Sequence, residues 1–294
     1  FYFFFTSRRR HTRSIIGGSG LYEMEGLTDV ESVDIDTPFG RPSDAITVGT
    51  LEETRVAFLP RHGQGHRINP THIPVQANIY ALKTLGVERI ISVSAVGSLK
   101  EEFEPLHLVV PNQLIDRTRQ RANTFFEKDM VVHVAFADPF CAQTSHMVIH
   151  AALELGVNVH SGGTMVVMEG PAFSSRAESI MYRSWGADLI GMTALPEAKL
   201  AREAEMCYAT MAWVTDYDCW RQGGEAVTVE MIIGNLLQNV AASKDLLRNL
   251  IPRLNGTRDC PCATALKDAI ITPQDRVPED LKRKLEPITG RYLS

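Results

Sequence analysis

Two carboxylates stand two residues apart where an apolar run ends. Asp216 and Asp218 follow Met211–Val214, which the sequence predicts to be a strand. Residues two apart in an extended chain point to the same side, so both acids can face one ligand. Such a pair could bind a purine edge that presents a ring nitrogen and an exocyclic amine. A solvated, Asp-rich turn is the alternative interpretation.

A basic motif, RHGQGH at positions 61–66, follows another predicted strand that ends at Pro60. The arginine offers a two-pronged donor for a phosphate, His62 offers a further donor, and the glycines let the backbone fold around a ligand. His62 and His66 stand four apart, as in some zinc sites. Because the intervening glycines disfavour a helix that would present both rings to one ion, we expect no metal here.

Glycines and small residues end other predicted strands. Gly17, Gly18 and Gly20 surround Ser19, where backbone N–H groups could approach an anion, although the run matches neither a dinucleotide fingerprint nor a Walker loop. Taken singly, each such turn could be purely structural. Ligands of open α/β sheets collect at the carboxyl ends of strands, so together these ends predict one shared pocket. The further segments of this kind are 94–99 (SAVGSL), 168–173 (MEGPAF) and 191–193 (GMT).

The elements that must position these residues alternate between strand and helix. The signals run from Ser14 to about Ile251 without a linker, which predicts an α/β sheet covered by helices on both faces. Predicted strands span 13–18, 45–48, 56–59 and 89–94, and predicted helices span 74–85 and 225–250. The helix–glycine–strand pattern returns at 144–159 and 175–190, and residues 198–204 lead through 206–214 into the acidic motif.

The chain has 294 residues, of which 44% are hydrophobic and 22% charged, enough for a substantial core. We interpret residues 15–294 as a single domain and residues 1–14 (FYFFFTSRRRHTRS) as a leader foreign to the fold. The leader holds four arginines and no acid, so the remainder, with 26 basic and 35 acidic residues, has a net charge of −9. This acidic character argues against a nucleic-acid partner. No apolar run approaches the roughly 18 residues of a membrane span.

The five cysteines are odd in number and dispersed, which is not the pattern of a disulfide framework and favours a cytoplasmic protein. Cys260 and Cys262 flank Pro261. This pair is either incidental or a strained, labile bridge.

Taken in order, the motifs resemble those of the trimeric branch of the purine nucleoside phosphorylase family, and in particular its members that act on S-methyl-5′-thioadenosine. The resemblance covers about residues 15–251 and includes GGSGLY, TPFG, RHGQGH, NP with QAN, SAVGSL, EGPAFSSRAES, GMTALPEAKLAREAE and TDYDCW. It implies an α/β fold, one domain with a central mixed, partly barrel-like β-sheet flanked by helices. It also implies a homotrimer or a dimer of trimers, with sites close to subunit interfaces.

The resemblance also implies roles for individual residues. The phosphate-binding set would be Ser19, Arg61, His62, the backbone around Ser94 and Ala95, and Thr193. Phe173 would lie near the purine, with Asp216 toward N7 and Asp218 toward the 6-amino group, while Met192 would meet the ribose hydroxyls. The 5′-methylthio end would be bounded by His66, Val229, Ile232 and Ile233, and His133 would reach into a neighbouring subunit's pocket. Ser19 replaces the threonine of the animal enzymes, and Gly191 replaces an asparagine and so offers no side-chain contact.

The implied reaction is phosphorolysis of S-methyl-5′-thioadenosine to adenine and 5-methylthio-α-D-ribose 1-phosphate, in methionine and purine salvage. It requires phosphate as co-substrate and neither a metal nor an organic cofactor. Two alternatives stay open. A methylthioinosine or 6-oxopurine nucleoside phosphorylase would want an amide such as Asn where Asp218 stands. A non-catalytic nucleoside-binding protein would be expected to lack part of the phosphate-binding set.

Overall fold

The computed structural model describes residues 12–17, 21, 24–221 and 229–293; for Val229 the backbone alone is described. The strands are β1 (Thr12–Gly17), β2 (Thr28–Val33), β3 (Ile46–Leu51), β4 (Thr54–Pro60), β5 (Val87–Ser98), β6 (Leu108–Val110), β7 (Gln113–Arg117), β8 (Val159–Ser161), β9 (Thr164–Met168), β10 (Leu189–Gly191) and β11 (Cys207–Asp216). The α-helices are α1 (Val75–Thr84), α2 (Ala142–Glu154), α3 (Arg176–Ser184), α4 (Ala194–Glu203), α5 (Val229–Leu250), α6 (Glu279–Lys284) and α7 (Glu286–Thr289).

One mixed sheet of eleven strands organises the molecule, and it branches at β5. One path runs β2-β3-β4-β1-β5-β10-β9-β7, while β11 also pairs with β5 and continues through β6 to β8. The length of β5 makes the branch possible. Its first part, Val87–Ser92, pairs with β1, and its last residues, Gly97 and Ser98, pair with β10. Strands β4, β1, β5 and β11 are parallel neighbours, so their carboxyl ends lie at one edge. The predicted α/β class with a mixed sheet flanked by helices is confirmed.

Helices cover both faces of the sheet, and successive residues of β1 show why. Ile16 packs into one apolar cluster with side chains of α1, α4 and α7, whereas Ile15 packs into a second cluster with α2 and α5. Alternation along a strand sends neighbouring side chains to opposite faces, so a strand covered on both sides is apolar throughout. Within the described residues, no helix has both the length and the apolar character needed to cross a bilayer.

The first strand begins at Thr12, inside the segment that the sequence assigned to the leader. Arg13 is only 2% exposed and donates from Nε to the Leu254 carbonyl at 2.9 Å. Residues 12–14 are therefore part of the sheet. At the other end of the chain, the sequence patterns assigned no element beyond Ile251, yet α7 packs on α1 and Ile288 is buried in the core. Helices α6 and α7 are too short to show the apolar periodicity by which a sequence indicates a helix.

Glu203, near the end of α4, is a buried acid with two neutral donors. It accepts hydrogen bonds from Thr124 Oγ1 and the Phe125 N–H, both at 2.7 Å. Burial removes the carboxylate from water, and this raises the pKa of Glu203 from 4.5 to about 7. The folded state therefore binds this proton more tightly than the unfolded chain does.

We expect Glu203→Gln to flatten the pH dependence of stability. In the parent protein this group's contribution is fully present below pH 4.5 and is lost as the pH rises to about 7, a loss of about 3 kcal/mol. A glutamine is neutral throughout and can keep both contacts, since the Thr124 hydroxyl can accept from the amide. Denaturant unfolding at pH 5 and pH 8 measures the difference. Equal losses of stability in both proteins between these two pH values would contradict the assignment.

Candidate active site

A cavity of about 560 Å³ opens at the sheet edge where β4, β5 and β11 end. Its size is that of a typical small-molecule site. β10 runs antiparallel to β5 and delivers Met192 and Thr193 to the same place. Most of the predicted site residues line this one cavity: Arg61, His62, His66, Ser94, Ala95, Phe173, Met192, Thr193, Asp216, Asp218 and Ile232.

Arg61 lies directly after β4 and is only 2% exposed, and its guanidinium is held by a carboxylate that the sequence did not single out. Nε and Nη2 donate to the two oxygens of Glu197 at 2.6 and 2.9 Å. Nη2 also donates to Ser92 Oγ at 2.7 Å, and Nη1 to the Val93 carbonyl at 2.9 Å. Four of the five N–H groups are thus used. The two-pronged face of the guanidinium therefore binds Glu197 and not a phosphate, and among the described residues the fifth N–H has no partner.

Glu197 itself is 1% exposed and also accepts from the Tyr208 hydroxyl at 2.8 Å. Although burial opposes the charge on Arg61, the adjacent carboxylate prevails and raises the pKa of Arg61. Glu197 lies in the first turn of α4, so the pair ties that helix to the end of β4. Sequence reasoning missed it because an acid in a helix pattern is usually at the surface.

His62 is held as a neutral ring. Its burial and the positive charge of Arg61 lower the pKa of His62 to about 4. Nδ1 lies 2.8 Å from the Ile68 carbonyl, so Nδ1 carries the proton and Nε2 has a free lone pair. The predicted role of His62 as a donor to phosphate therefore needs a change. A neutral ring can accept from a protonated phosphate oxygen, and it can donate only after binding an additional proton.

Neutral hydroxyls complete this end of the cavity. Ser94 on β5 and Thr193 after β10 bring their side-chain oxygens within 3.2 Å of each other. Both residues line the cavity together with Arg61 and His62. An oxyanion placed between them could accept from both hydroxyls and from the remaining Arg61 N–H. The structure thus brings three of the predicted phosphate-binding side chains, Arg61, His62 and Thr193, to one place with Ser94, for which the prediction concerned the backbone.

The two acids converge as predicted, although by a different geometry. A register shift in the β5–β11 ladder pairs Asp216 with Gly97 and leaves Thr215 as an additional residue. Asp218 lies beyond the strand with a φ of 51°. A Cβ on Gly97 would lie 2.9 Å from Ile190 Cγ2 and 3.4 Å from Asp218 Cβ, so a side chain here would press on Ile190 next to the acids.

Burial raises the pKa of Asp216 above its ordinary value. One oxygen of this carboxyl accepts from the Asp218 N–H at 2.7 Å and the other lies 2.7 Å from Thr215 Oγ1. The Thr215 hydroxyl also lies 3.2 Å from the Val96 carbonyl, so it can donate to either partner. A rotation of this hydroxyl therefore accommodates both protonation states of Asp216. Asp218 instead accepts from Ser174 Oγ, at 2.8 and 3.0 Å from its two oxygens.

Arg121 is a positioning residue that the sequence motifs did not reveal. Its side chain is 3% exposed, and Nε donates to Glu169 at 2.9 Å. Nη1 donates to the carbonyls of Met192 and Leu195, so one guanidinium holds the segments after β9 and β10 together. Although burial opposes ionisation, the Arg119 N–H and the Arg121 guanidinium lower the pKa of Glu169 to about 2. Phe173, between these segments and Asp218, is 69% exposed and faces an open cavity.

One face of α5 forms an apolar part of the cavity wall. Ile232, Leu236 and Val240 recur at every fourth position and line the cavity, which is the spacing of one helix face. The predicted contribution of Ile233 is not seen: this residue is 50% exposed and lies off the cavity lining, because the next helix position is rotated by about 100°. Helical periodicity counted from Ile232 would have found Leu236 and Val240.

Three predicted residues besides Ile233 are not in the described cavity. Ser19 and the Val229 side chain lie outside the described residues. His133 is exposed and lines a separate cavity beside the C-terminal segment. Its backbone N–H donates to the Ala269 carbonyl. The rings of His62 and His66, at which the sequence predicts no metal, stack with centroids 4.2 Å apart.

The sheet and the site place the chain in a known class. The family model described as the phosphorylase superfamily matches residues 12–252. The chain belongs to this superfamily, and its cavity at the carboxyl ends of the strands is where the fold positions its polar residues.

Individual relatives are more specific. The chain is 56% identical to the S-methyl-5′-thioadenosine phosphorylase of Geobacter sulfurreducens, over 95% of this chain and 98% of that protein. The enzyme of the same name from Koribacter versatilis is 55% identical, with coverages of 95% and 96%. A methylthioadenosine phosphorylase from an antarctic soil metagenomic library superposes with a TM-score of 0.91 at 46% identity, covering 96% of this chain and 99% of that one. Methylthioadenosine phosphorylase from Schistosoma mansoni in complex with adenine gives 0.79 at 34% identity, with coverages of 84% and 93%.

We expect Arg61→Ala to destabilise the protein by about 3–5 kcal/mol, because it leaves the Glu197 carboxylate buried without its partner. The matched control is Arg41→Ala, which breaks an ion pair with Asp36 in which both side chains are at least 80% exposed and which should matter little. Denaturant unfolding of both variants measures the contrast. The double variant Arg61→Met/Glu197→Leu should recover part of the loss. Similar small effects for Arg61→Ala and Arg41→Ala would mean that the buried pair does not hold the site.

Proposed function

We propose that the protein catalyses the phosphorolysis of S-methyl-5′-thioadenosine to adenine and 5-methylthio-α-D-ribose 1-phosphate. One observation carries the proposal: a single cavity is lined both by Arg61, Ser94 and Thr193, which can donate to an anion, and by the Asp216–Asp218 pair. Its apolar wall on α5 suits a methylthio group better than a charged or strongly polar 5′ substituent. The named relatives act on the same nucleoside.

In this proposal the anion end positions phosphate for attack on C1′. Phosphate carries about −1.5 to −2 at neutral pH if it resembles a phosphomonoester. Ser94 and Thr193 would donate their hydroxyls, and the remaining Arg61 N–H would supply a charged donor. Positioning of this kind can lower a barrier by several kcal/mol. An oxygen of phosphate forms the new bond to C1′ as the bond from C1′ to the purine N9 breaks.

The electrons of that bond pass to the purine, which leaves poorly as an anion. We assign Asp216 the task of protonating, or donating a hydrogen bond to, N7 as charge develops. Its raised pKa favours the protonated form that such a donor needs. Asp218 would accept from the 6-amino group, oriented by Ser174, and Phe173 would cover one face of the base.

The remaining features of the proposal concern context. We infer a homotrimer or dimer of trimers in which His133 of one copy reaches toward the site of another. His133 is exposed and lies away from the cavity of its own chain, which suits such a role. Ser19 and Val229 would complete the phosphate and 5′ ends. We place the protein in the cytoplasm, in methionine and purine salvage, with phosphate as co-substrate and no cofactor in catalysis.

Initial rates with methylthioadenosine, adenosine and inosine, each with and without phosphate, test the function. We expect adenine to be released from methylthioadenosine only when phosphate is present, and inosine to react slowly, because a carboxylate at position 218 repels O6. Release without phosphate would indicate a hydrolase. Faster reaction of inosine would favour a 6-oxopurine phosphorylase, and tight binding without turnover would favour a nucleoside-binding protein.

We expect Asp216→Ala to lower kcat by about 10²- to 10⁴-fold with a smaller change in KM, because the contact to N7 strengthens as the purine becomes negative. Single-turnover kinetics should accompany the steady state, since product release can mask the chemical step. The kcat of Asp216→Asn should lie between those of the parent and of Asp216→Ala, because an amide donates a hydrogen bond but no proton. If KM rose while kcat fell less than about tenfold, which is about 1.4 kcal/mol, Asp216 would be a binding residue.

A further inference from the structure

Four of the five cysteines converge at a place remote from the candidate active site. The sulfur atoms of Cys141, Cys207, Cys260 and Cys262 all lie within 4.8 Å of one another. They come from three parts of the chain: the residue before α2, the first residue of β11, and the Cys-Pro-Cys turn near the C-terminus. The fold, and not local sequence, therefore assembles this cluster.

The cluster is enclosed. Cys141, Cys207 and Cys262 are buried, while Cys260 is partly exposed at the rim. Cys207 and Cys260 have their sulfurs 3.4 Å apart without a bond between them. A cavity next to the cluster is lined by Cys141, Cys260 and Cys262, so an ion could reach the sulfurs from this side.

A tetrahedral thiolate site fits this arrangement. Zinc binds four cysteine sulfurs at about 2.3 Å, which places the sulfurs about 3.8 Å apart. The observed upper limit of 4.8 Å is about 1 Å wider, and the partly exposed Cys260 is the side chain best able to move inward. A metal requires all four sulfurs to be close to one another, whereas two disulfides require only that each sulfur be close to one other.

The surroundings favour negatively charged sulfur. Arg89 is fully buried, and its Nη1 donates to Cys207 Sγ at 3.8 Å. Its Nη2 donates to the carbonyls of Gly256 and Thr257, which lead into the Cys-Pro-Cys turn. Cys141 caps the N-terminus of α2, where the helix dipole stabilises a thiolate, and Thr144 Oγ1 donates to its sulfur at 3.3 Å. A disulfide carries no charge for these groups to stabilise.

We propose that Cys141, Cys207, Cys260 and Cys262 bind one structural divalent cation of the soft, thiolate-preferring class, with Zn²⁺ as the expected ion. Binding forms four metal–sulfur bonds and releases the four thiol protons to solvent, with no oxidation or reduction. Four thiolates and Zn²⁺ carry a net charge of −2, which the neighbouring Arg89 partly offsets. The ion would fasten the C-terminal segment to the start of β11 and α2. It is separate from the proposed phosphorolysis, which needs no metal.

Metal analysis of the full chain tests the site. The chain is purified under reducing conditions without chelator, and its zinc content is measured by elemental mass spectrometry. The matched set consists of Cys260→Ser and Cys262→Ser, with Cys219→Ser as control, because Cys219 is the fifth cysteine and lies outside the cluster. We expect one zinc per chain in the parent and in Cys219→Ser, and loss of bound zinc in the two cluster variants.

A second measurement keeps the test decisive if a cluster variant folds poorly. Titration of the metal-free parent chain with Co²⁺ should produce the visible bands of tetrahedral cobalt with thiolate ligands, and Zn²⁺ should displace them. The proposal is overturned if the reduced parent chain binds neither ion, or if Cys262→Ser retains full zinc content. It is also overturned if thiol alkylation during cell lysis, followed by intact-mass measurement, finds these four cysteines joined in disulfides.

Discussion

The buried ion pair of Arg61 and Glu197 joins more of the structure than any other polar contact at the site. Arg61 follows β4, and Glu197 lies in the first turn of α4. The pair is hydrogen-bonded to Ser92 on β5 and to Tyr208 on β11. Four elements are therefore joined by this pair, next to the cavity that Arg61 lines. Such a pair adds little net stability over apolar residues of the same volume, but it is costly to break. Its contribution is to the geometry of the strand ends, on which every ligand contact depends.

This constraint changes how the cavity can recognise an anion. Four of the Arg61 N–H groups donate to protein atoms, so Arg61 would offer a ligand its positive charge and one hydrogen bond. The same charge helps to lower the pKa of His62. In the proposed function, recognition of phosphate would then depend on the hydroxyls of Ser94 and Thr193. Neutral donors hold an oxyanion less strongly than a full guanidinium fork would. A weaker grip suits a co-substrate that must leave its binding site as it bonds to C1′.

The sequence predicted the sheet edge well and the interior poorly, for physical reasons. Strand ends are marked by small and polar residues after apolar runs, so Arg61, Ser94, Thr193 and Asp216 could be brought together in advance. Glu197 and Arg121 could not, because a side chain's partner across the fold leaves no local pattern. The resemblance placed Ile233 at the 5′ end, whereas in the structure this residue lies off the cavity lining, because it is rotated by about 100° from Ile232 around α5. The cysteine cluster shows the same limit, since Cys141 and Cys207 meet Cys260 only after the sheet has formed.

The pKa values of His62 and Asp216, which both line the cavity, are displaced in opposite directions. Burial lowers the pKa of His62 to about 4 and raises the pKa of Asp216, because in both groups it disfavours the charged form. The cavity thus combines a base that resists taking up a proton with an acid whose loss of a proton is opposed. Paired shifts of this kind are how a site separates donor and acceptor roles at one pH. In the proposed reaction a protonated phosphate oxygen would donate to His62 Nε2, and Asp216 would donate to the purine. Because burial makes the charged carboxylate less favourable, the pKa of Asp216 is shifted in the direction that a donor to the leaving base requires.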